Sequence, residues 1–131
     1  MSYLLDTDWL VDIYIGRSDP ARIVEELRPQ GIGVSIVTHG ELFEGAFGFP
    51  DTGARLARVY VLLARFDTMP LTDPIMEIFG RTRSELRRTG RLIPDMDLLI
   101  AATGIPHDLI LLTRNLRHFT SIPELQIFRS T

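Results

Sequence analysis

The sequence predicts an α/β domain in which a mostly parallel sheet of four to five strands lies between layers of helices. Three observations predict it: short apolar runs alternate with longer runs at helical spacing, no linker or low-complexity segment interrupts them, and 131 residues suit one core. We therefore expect residues 1–131 to form a single domain.

The predicted strands are short apolar runs, because a parallel sheet is buried on both faces and needs no alternation of polar residues. The run at 3–5 ends on Asp6, and the run at 109–112 is apolar throughout, as a central strand should be. In chain order, strands are predicted at 3–5, 31–36, 68–71, 109–112 and 125–128. The third is brief and the last is peripheral.

Helices are predicted between these strands from apolar residues spaced three and four apart. They are expected at 9–14, 20–28, 39–47, 52–66, 73–89 and 95–102. Thr38 and Glu41 have the spacing of a capping box at the start of the third helix. The sixth is apolar nearly all round, which predicts that it is buried. Pro20 is placed in a first turn, and Gly48 and Gly90 end helices.

Composition excludes several kinds of chemistry. With no cysteine, the chain has no disulfide, thiolate nucleophile or cysteine-ligated zinc or iron–sulfur site. All 14 cationic side chains are arginine, so Schiff-base lysines and phosphate-loop lysines are excluded as well. A net charge of −3 is not typical of a nucleic-acid binder, although metal ions on the carboxylates would permit one. No membrane helix or signal segment is predicted, and we expect a soluble cytoplasmic protein.

Four polar residues follow predicted strands or begin predicted helices: Asp6, Glu41, Asp97 and Asn115. In parallel sheets, ligands bind at the carboxyl ends of the strands, so we expect these side chains to lie at one edge. Three carboxylates brought together there would raise one another's pKa unless a cation compensated. Oxygen ligands favour Mg²⁺ or Mn²⁺ over zinc.

Several of these polar residues also have a structural interpretation. Asp95 is suited to capping its helix, Asp97 to a first turn where the helix dipole favours an acid, Glu41 to completing the capping box, and Asn115 to a turn. Asp6 has no evident local role, because it ends a buried strand. Asp12 is expected to be a solvated charge.

Four segments together resemble a known family, in order and across essentially the whole chain. They are LLDTD at 4–8, SIVTHGEL at 35–42, DMDLLIAA at 95–102 and LTRNLRHF at 112–119. This set resembles the PIN-domain ribonucleases, and in particular the VapC toxins of bacterial toxin–antitoxin pairs. The resemblance implies a PIN-like three-layer sandwich and an endoribonuclease that hydrolyses RNA phosphodiester bonds with Mg²⁺ or Mn²⁺.

The resemblance also implies roles for individual residues. Asp6, Glu41 and Asp97 match the metal-binding positions, and Asn115 stands at a fourth position that is often Asp in the family. Supporting contacts to the site or to RNA are implied or expected at Thr7, Asp8, Asp95, Thr113, Arg114 and Arg117. Among them, Asp95 is an additional acid that would partly substitute for the missing fourth carboxylate.

The implied partners are RNA, such as transfer or ribosomal RNA, and a VapB-type antitoxin, with a homodimer and a toxin–antitoxin hetero-oligomer as assemblies. A groove for the antitoxin is expected near Phe43, Phe47, Phe49 and Tyr60. The arginines at 81, 83, 87, 88 and 91 form either a solvated helix face or an RNA track.

Two alternative functions stay open at this point. The first strand and Asp6 also resemble the nucleophile motif of haloacid-dehalogenase-type phosphatases, although those enzymes usually need a lysine and this chain has none. The other alternative is a catalytically idle PIN-like protein that only binds a partner.

Overall fold

The computed structural model describes residues 1–129 and has a five-stranded sheet in the order β3-β2-β1-β4-β5. Every neighbouring pair of strands is parallel. The strands are β1 (Tyr3–Leu5), β2 (Ile32–Ser35), β3 (Asp67–Met69), β4 (Ile110–Leu112) and β5 (Gln126–Ile127). The predicted parallel α/β sheet is confirmed, with all five strands present. The predicted domain ran to residue 131, and its last two residues lie outside the described range.

Helices connect and cover the strands. They are α1 (Thr7–Tyr14), α2 (Ser18–Leu27), α3 (Ile36–Phe47), α4 (Thr52–Leu63), α5 (Asp73–Arg88), α6 (Asp95–Gly104) and α7 (Leu116–Phe119). The short α7 was not predicted, because one helical turn leaves no apolar periodicity to detect. Gly90 follows the end of α5 with a φ of 69°, a left-handed conformation that glycine adopts without strain. None of the helices between residues 1 and 129 is both long and apolar enough to span a bilayer.

Two neighbouring residues of the central strand β1, Leu4 and Leu5, pack into two different hydrophobic cores. Leu5 belongs to a cluster that includes Leu10 of α1 and Val24 of α2, whereas Leu4 packs with Leu98 and other residues of α6. Since successive side chains of a strand point to opposite faces, the sheet is the middle layer of a sandwich. All five of these side chains are fully buried, and the predicted three-layer architecture is confirmed.

Two helix starts differ from the prediction. The N-cap of α3 is Ser35, whose hydroxyl accepts a hydrogen bond from the backbone N–H of Val37, so the predicted capping box of Thr38 and Glu41 does not form. Thr38 is instead completely buried inside the helix. Helix α2 begins at Ser18, two residues before Pro20, which is tolerated there because the first backbone N–H groups of a helix lack partners within it.

Candidate active site

Asp6 lies between β1 and α1, and its two carboxylate oxygens have different partners. Its Oδ1 accepts a hydrogen bond of 2.8 Å from the backbone N–H of Thr7, and its Oδ2 accepts one of 2.6 Å from the hydroxyl of Thr113. The expectation that Asp6 has no local role is wrong, because it is also the N-cap residue of α1. The position after Leu5 and the cap together fix its carboxylate at the carboxyl edge of the sheet.

Burial makes Asp6 electrostatically unusual. The residue is 4% exposed, and the loss of hydration raises its pKa to about 7. The hydrogen bond from Thr113 works against this shift, whereas the negative charges of Asp8 and Asp97 add to it. The charge of Asp97 is therefore close enough to Asp6 to disfavour ionisation of the Asp6 carboxyl.

Thr7 connects Asp6's helix to Glu41. Its hydroxyl donates a hydrogen bond of 2.6 Å to Oε1 of Glu41 and lies 3.0 Å from the hydroxyl of Thr38. A hydroxyl has one hydrogen to give, so Thr38 donates to Thr7 while Thr7 donates to Glu41. This chain of hydroxyls holds the Glu41 carboxylate toward α1.

Asp97, in the first turn of α6, is bound by a histidine that was not among the predicted site residues. Its Oδ2 lies 2.5 Å from Nδ1 of His118. A carboxylate accepts hydrogen bonds and donates none, so this Nδ1 carries the hydrogen. The side-chain amide nitrogen Nδ2 of Asn115 lies 2.6 Å from the same His118 nitrogen. Asn115 thus reaches Asp97 through His118.

Asp8 and Arg114 join α1 to the segment that follows β4. Oδ2 of Asp8 accepts a hydrogen bond of 2.9 Å from the backbone N–H of Arg114, while its buried Oδ1 has no partner in the described residues. Burial raises the pKa of Asp8. The guanidinium of Arg114 contacts Asp12 at 3.0 Å. The prediction that Asp12 is a solvated charge is wrong, since it is 3% exposed.

Asp95 and Arg117 lie outside this hydrogen-bonded set. The carboxylate of Asp95 is exposed and forms an ion pair of 2.8 Å with Arg83 of α5. Its side chain does not cap α6. While it is paired with Arg83, it does not serve as a fourth acidic residue of the site. Arg117 is exposed on α7 and has no ion pair within residues 1–129.

The donor set fits a hard divalent cation, although the described residues contain no group of three or more His, Asp or Glu side chains arranged as a metal site. Asp6 and Asp97 supply carboxylates at one edge, and Mg²⁺ usually binds through one or two carboxylates with water completing its shell. The buried, unpartnered Oδ1 of Asp8 and the raised pKa of Asp6 both indicate negative charge that a cation would stabilise. Glu41 is within the same network through Thr7.

His118 and Asp12 are the residues of this network that were not predicted from the sequence. His118 follows Asn115 by three residues, and the signal that would have found it is the turn of helix that places both side chains on one side. Asp12 is four residues beyond Asp8 on α1, but only the fold brings Arg114 to it.

Comparison with known proteins connects this geometry to a family. A family model described as PIN domain matches residues 3–125. One similar protein is Ribonuclease VapC1 of Haemophilus influenzae, which is 30% identical over 130 residues and covers 96% of both chains. Another is Ribonuclease VapC19 of Mycobacterium tuberculosis, 35% identical over 125 residues, with 94% of this chain and 96% of the relative covered.

Solved structures resemble the whole chain. The structure of VapBC2 from Rickettsia felis bound to a DNA fragment from its promoter matches with a TM-score of 0.91, 26% identity and full coverage of both chains. VapBC-1 from nontypeable Haemophilus influenzae matches with a TM-score of 0.86 and 27% identity, covering 98% of this chain and 97% of the other.

Proposed function

Since the chain belongs to the PIN domain family, we propose that it is a divalent-metal-dependent endoribonuclease and the toxin of a toxin–antitoxin pair. The observation that supports the activity is that the charge of Asp97 acts on the buried Asp6 carboxylate, although the two residues are 91 positions apart in the chain. The relatives named ribonucleases cover nearly the whole chain, so the proposal extends to residues 1–131 as one PIN domain.

We propose Asp6, Asp97 and Glu41 as the residues that hold Mg²⁺ or Mn²⁺. A bound ion of this kind activates water and neutralises charge on the phosphate that is cut. Thr113 and Thr7 hold two of the carboxylates through hydrogen bonds of 2.6 Å, which fixes their direction without adding charge. His118 holds Asp97 through its Nδ1, and Asn115 contacts that nitrogen in turn.

These residues divide the work of hydrolysis. Glu41 or Asp97 orients the attacking water by accepting its hydrogen bond, and Asp6 stays ionised when a cation offsets its burial. Arg117, exposed next to His118, contacts the RNA backbone. An RNA loop or single strand, as in transfer or ribosomal RNA, is the proposed substrate because its bases are not stacked in a duplex. We place the activity in the cytoplasm, with its substrate.

A VapB-type antitoxin is the proposed protein partner, because the similar solved structures are VapBC complexes. A cavity of about 240 Å³ between α1, α3 and α4 is lined by Ile15, Leu42, Phe49 and other apolar residues, with Glu41 at its wall. A segment seated there would reach Glu41. Of the predicted groove residues, Phe47, Phe49 and Tyr60 are exposed, whereas Phe43 packs into the core. A homodimer and a toxin–antitoxin hetero-oligomer complete this proposal.

The phosphatase alternative is not retained. The family is that of PIN domains, and the chain has no lysine to balance the phosphoaspartate that such a phosphatase forms. The idle-binder alternative is decided by experiment.

The experiment is to map the 5′ ends of cellular RNA after the protein is induced, beside the variant Asp6→Ala. New 5′ ends at defined positions that appear with the parent and vanish with the variant support the endoribonuclease. Identical patterns from both would favour the idle binder.

A further inference from the structure

Asp12 of α1 is a buried carboxylate with no place in the proposed reaction. It is 3% exposed, and its Oδ2 lies 3.0 Å from Nε of Arg114, whose side chain is half exposed. Its Oδ1 is 3.8 Å from Nε of Arg17. Burying a carboxylate costs free energy unless the charge is paired, so the ion pair with Arg114 stabilises Asp12 in its buried position.

Arg114 is held by α1 at two points, one turn apart. Its backbone N–H donates to Oδ2 of Asp8 at 2.9 Å, and its guanidinium binds Asp12. Residues 113–115 belong to neither β4 nor α7, so these contacts and the neighbouring hydrogen bonds decide where the segment lies.

The residues on either side of Arg114 connect to two of the site's carboxylates, Thr113 directly and Asn115 through His118. Thr113 donates to Asp6, and the backbone N–H of Asn115 donates to the hydroxyl of Thr113 at 3.0 Å. The Asn115 side chain contacts His118, which binds Asp97. A shift of Arg114 would therefore move the partners of both carboxylates together.

We propose that Asp12 is a positioning residue that, through its ion pair with Arg114, fixes segment 113–115 and so sets the relative placement of the Asp6 and Asp97 carboxylates. The effect of this placement on catalysis rests on the proposed function. The placement itself is local geometry, which can be measured without RNA. It also gives Arg114 a role different from the RNA contact expected from the sequence.

The test compares Asp12→Ala, Arg114→Gln and the double variant with the unmodified chain. Amide hydrogen exchange should accelerate at 113–115 but not in β4, and Mn²⁺ binding followed by calorimetry should weaken about tenfold, as is common when a partner of a metal ligand is removed. The double variant should be no weaker than either single one, because both remove the same ion pair. Asp12→Asn, which keeps an acceptor for Arg114, should recover part of the affinity.

Arg17→Gln is the matched control. It removes the other arginine near Asp12 without touching the segment after β4, and we expect parental exchange and Mn²⁺ affinity. Should Asp12→Ala not fold, the half-exposed Arg114 carries the same test through Arg114→Gln.

Two results would overturn the proposal. One is parental exchange at 113–115 and parental Mn²⁺ affinity in folded Asp12→Ala or Arg114→Gln. The other is a higher KM for RNA in Arg114→Gln with unchanged Mn²⁺ affinity, which would make Arg114 a direct RNA contact. Failure of the parent to cleave RNA would count against the proposed function alone.

Discussion

The hydroxyl of Thr113 donates a hydrogen bond of 2.6 Å to Oδ2 of Asp6, linking the end of β4 to the end of β1. These strands are neighbours in the sheet, with Leu5 in register with Leu112, so the residues that follow them meet at one edge. Burial raises the pKa of the Asp6 carboxyl group, and this hydrogen bond lowers it. Thr113 is thus the neutral group that helps Asp6 to ionise.

Replacing Thr113 by Val should remove that help. We expect the pKa of Asp6 to rise further, Mn²⁺ binding to weaken, and the free energy of unfolding to fall by about 1–2 kcal/mol, since a buried acceptor loses its donor. Calorimetry measures the Mn²⁺ affinity, and urea unfolding measures the free energy of unfolding. Thr113→Ser keeps the hydroxyl and should retain most of the Mn²⁺ affinity and most of the stability. Losses in the Ser variant as large as those in the Val variant would show that the hydrogen bond to Asp6 is not what these properties depend on.

The raised pKa of Asp6 predicts how stability depends on pH without divalent metal. Folded Asp6 keeps its proton up to about pH 7, whereas the unfolded chain releases it near pH 4. Between these values the folded state binds more protons, so its stability falls as the pH rises. The contribution reaches about 4 kcal/mol at most. Urea unfolding in EDTA, parent against Asp6→Asn, isolates it.

In that comparison the parent should lose stability relative to Asp6→Asn as the pH rises, and saturating Mg²⁺ should reverse the loss. A stability difference that stays constant across this pH range would contradict the burial of an ionisable Asp6.

His118 offers a test of how Asp97 is held. His118→Ala removes the donor that lies 2.5 Å from the Asp97 carboxylate, and we expect Mn²⁺ affinity to fall about tenfold. His107→Ala is the matched control, because His107 is exposed at the turn before β4, away from the carboxylates. Equal affinities for the two variants would mean that His118 does not orient Asp97.

The arginines of α5 divide into paired and unpaired groups. Arg81 and Arg83 form ion pairs with Glu124 and Asp95, whereas Arg87 and Arg88 are exposed and have none within the described residues. Because Arg83 contacts the first turn of α6, the end of α5 lies beside the helix that carries Asp97.

Substituting Arg87 and Arg88 by Gln should weaken RNA binding and reduce its dependence on salt. The slope of the logarithm of the binding constant against the logarithm of the salt concentration should fall in magnitude by about 1 for each phosphate that an arginine no longer neutralises. The control replaces Arg22 and Arg65, which are ion-paired with Glu26 and Glu25, by Gln. Binding measured over a range of salt concentrations should change only in the first variant. Equal slopes in both would identify the α5 arginines as a solvated face.

Much of the fold followed from pattern alone, because strand and helix periods are local properties. The apolar run after residue 108 predicted a buried strand, which is β4, and the acids were expected at one edge because ligands bind at the carboxyl ends of parallel strands. The spacing of apolar residues did not indicate which polar side chains would contact one another. Thr38 had the spacing of a cap, yet Ser35 occupied that position because the helix began sooner. Asp12 resembled a surface charge until the fold supplied Arg114.

The central claim is that Asp6 and Asp97 together support metal-dependent cleavage of RNA. The most direct measurement is cleavage of RNA by the purified protein, freed of partner, with Mg²⁺ or with EDTA. Asp97→Asn and Asp6→Asn should each lower the rate at least about a hundredfold, because each removes a metal-binding charge and a bound metal stabilises the transition state by several kcal/mol. Asp95→Asn, two residues from Asp97 but paired with Arg83 on the surface, should cleave like the parent. Cleavage that persists in EDTA, or at parental rates in Asp6→Asn and Asp97→Asn, would contradict the account.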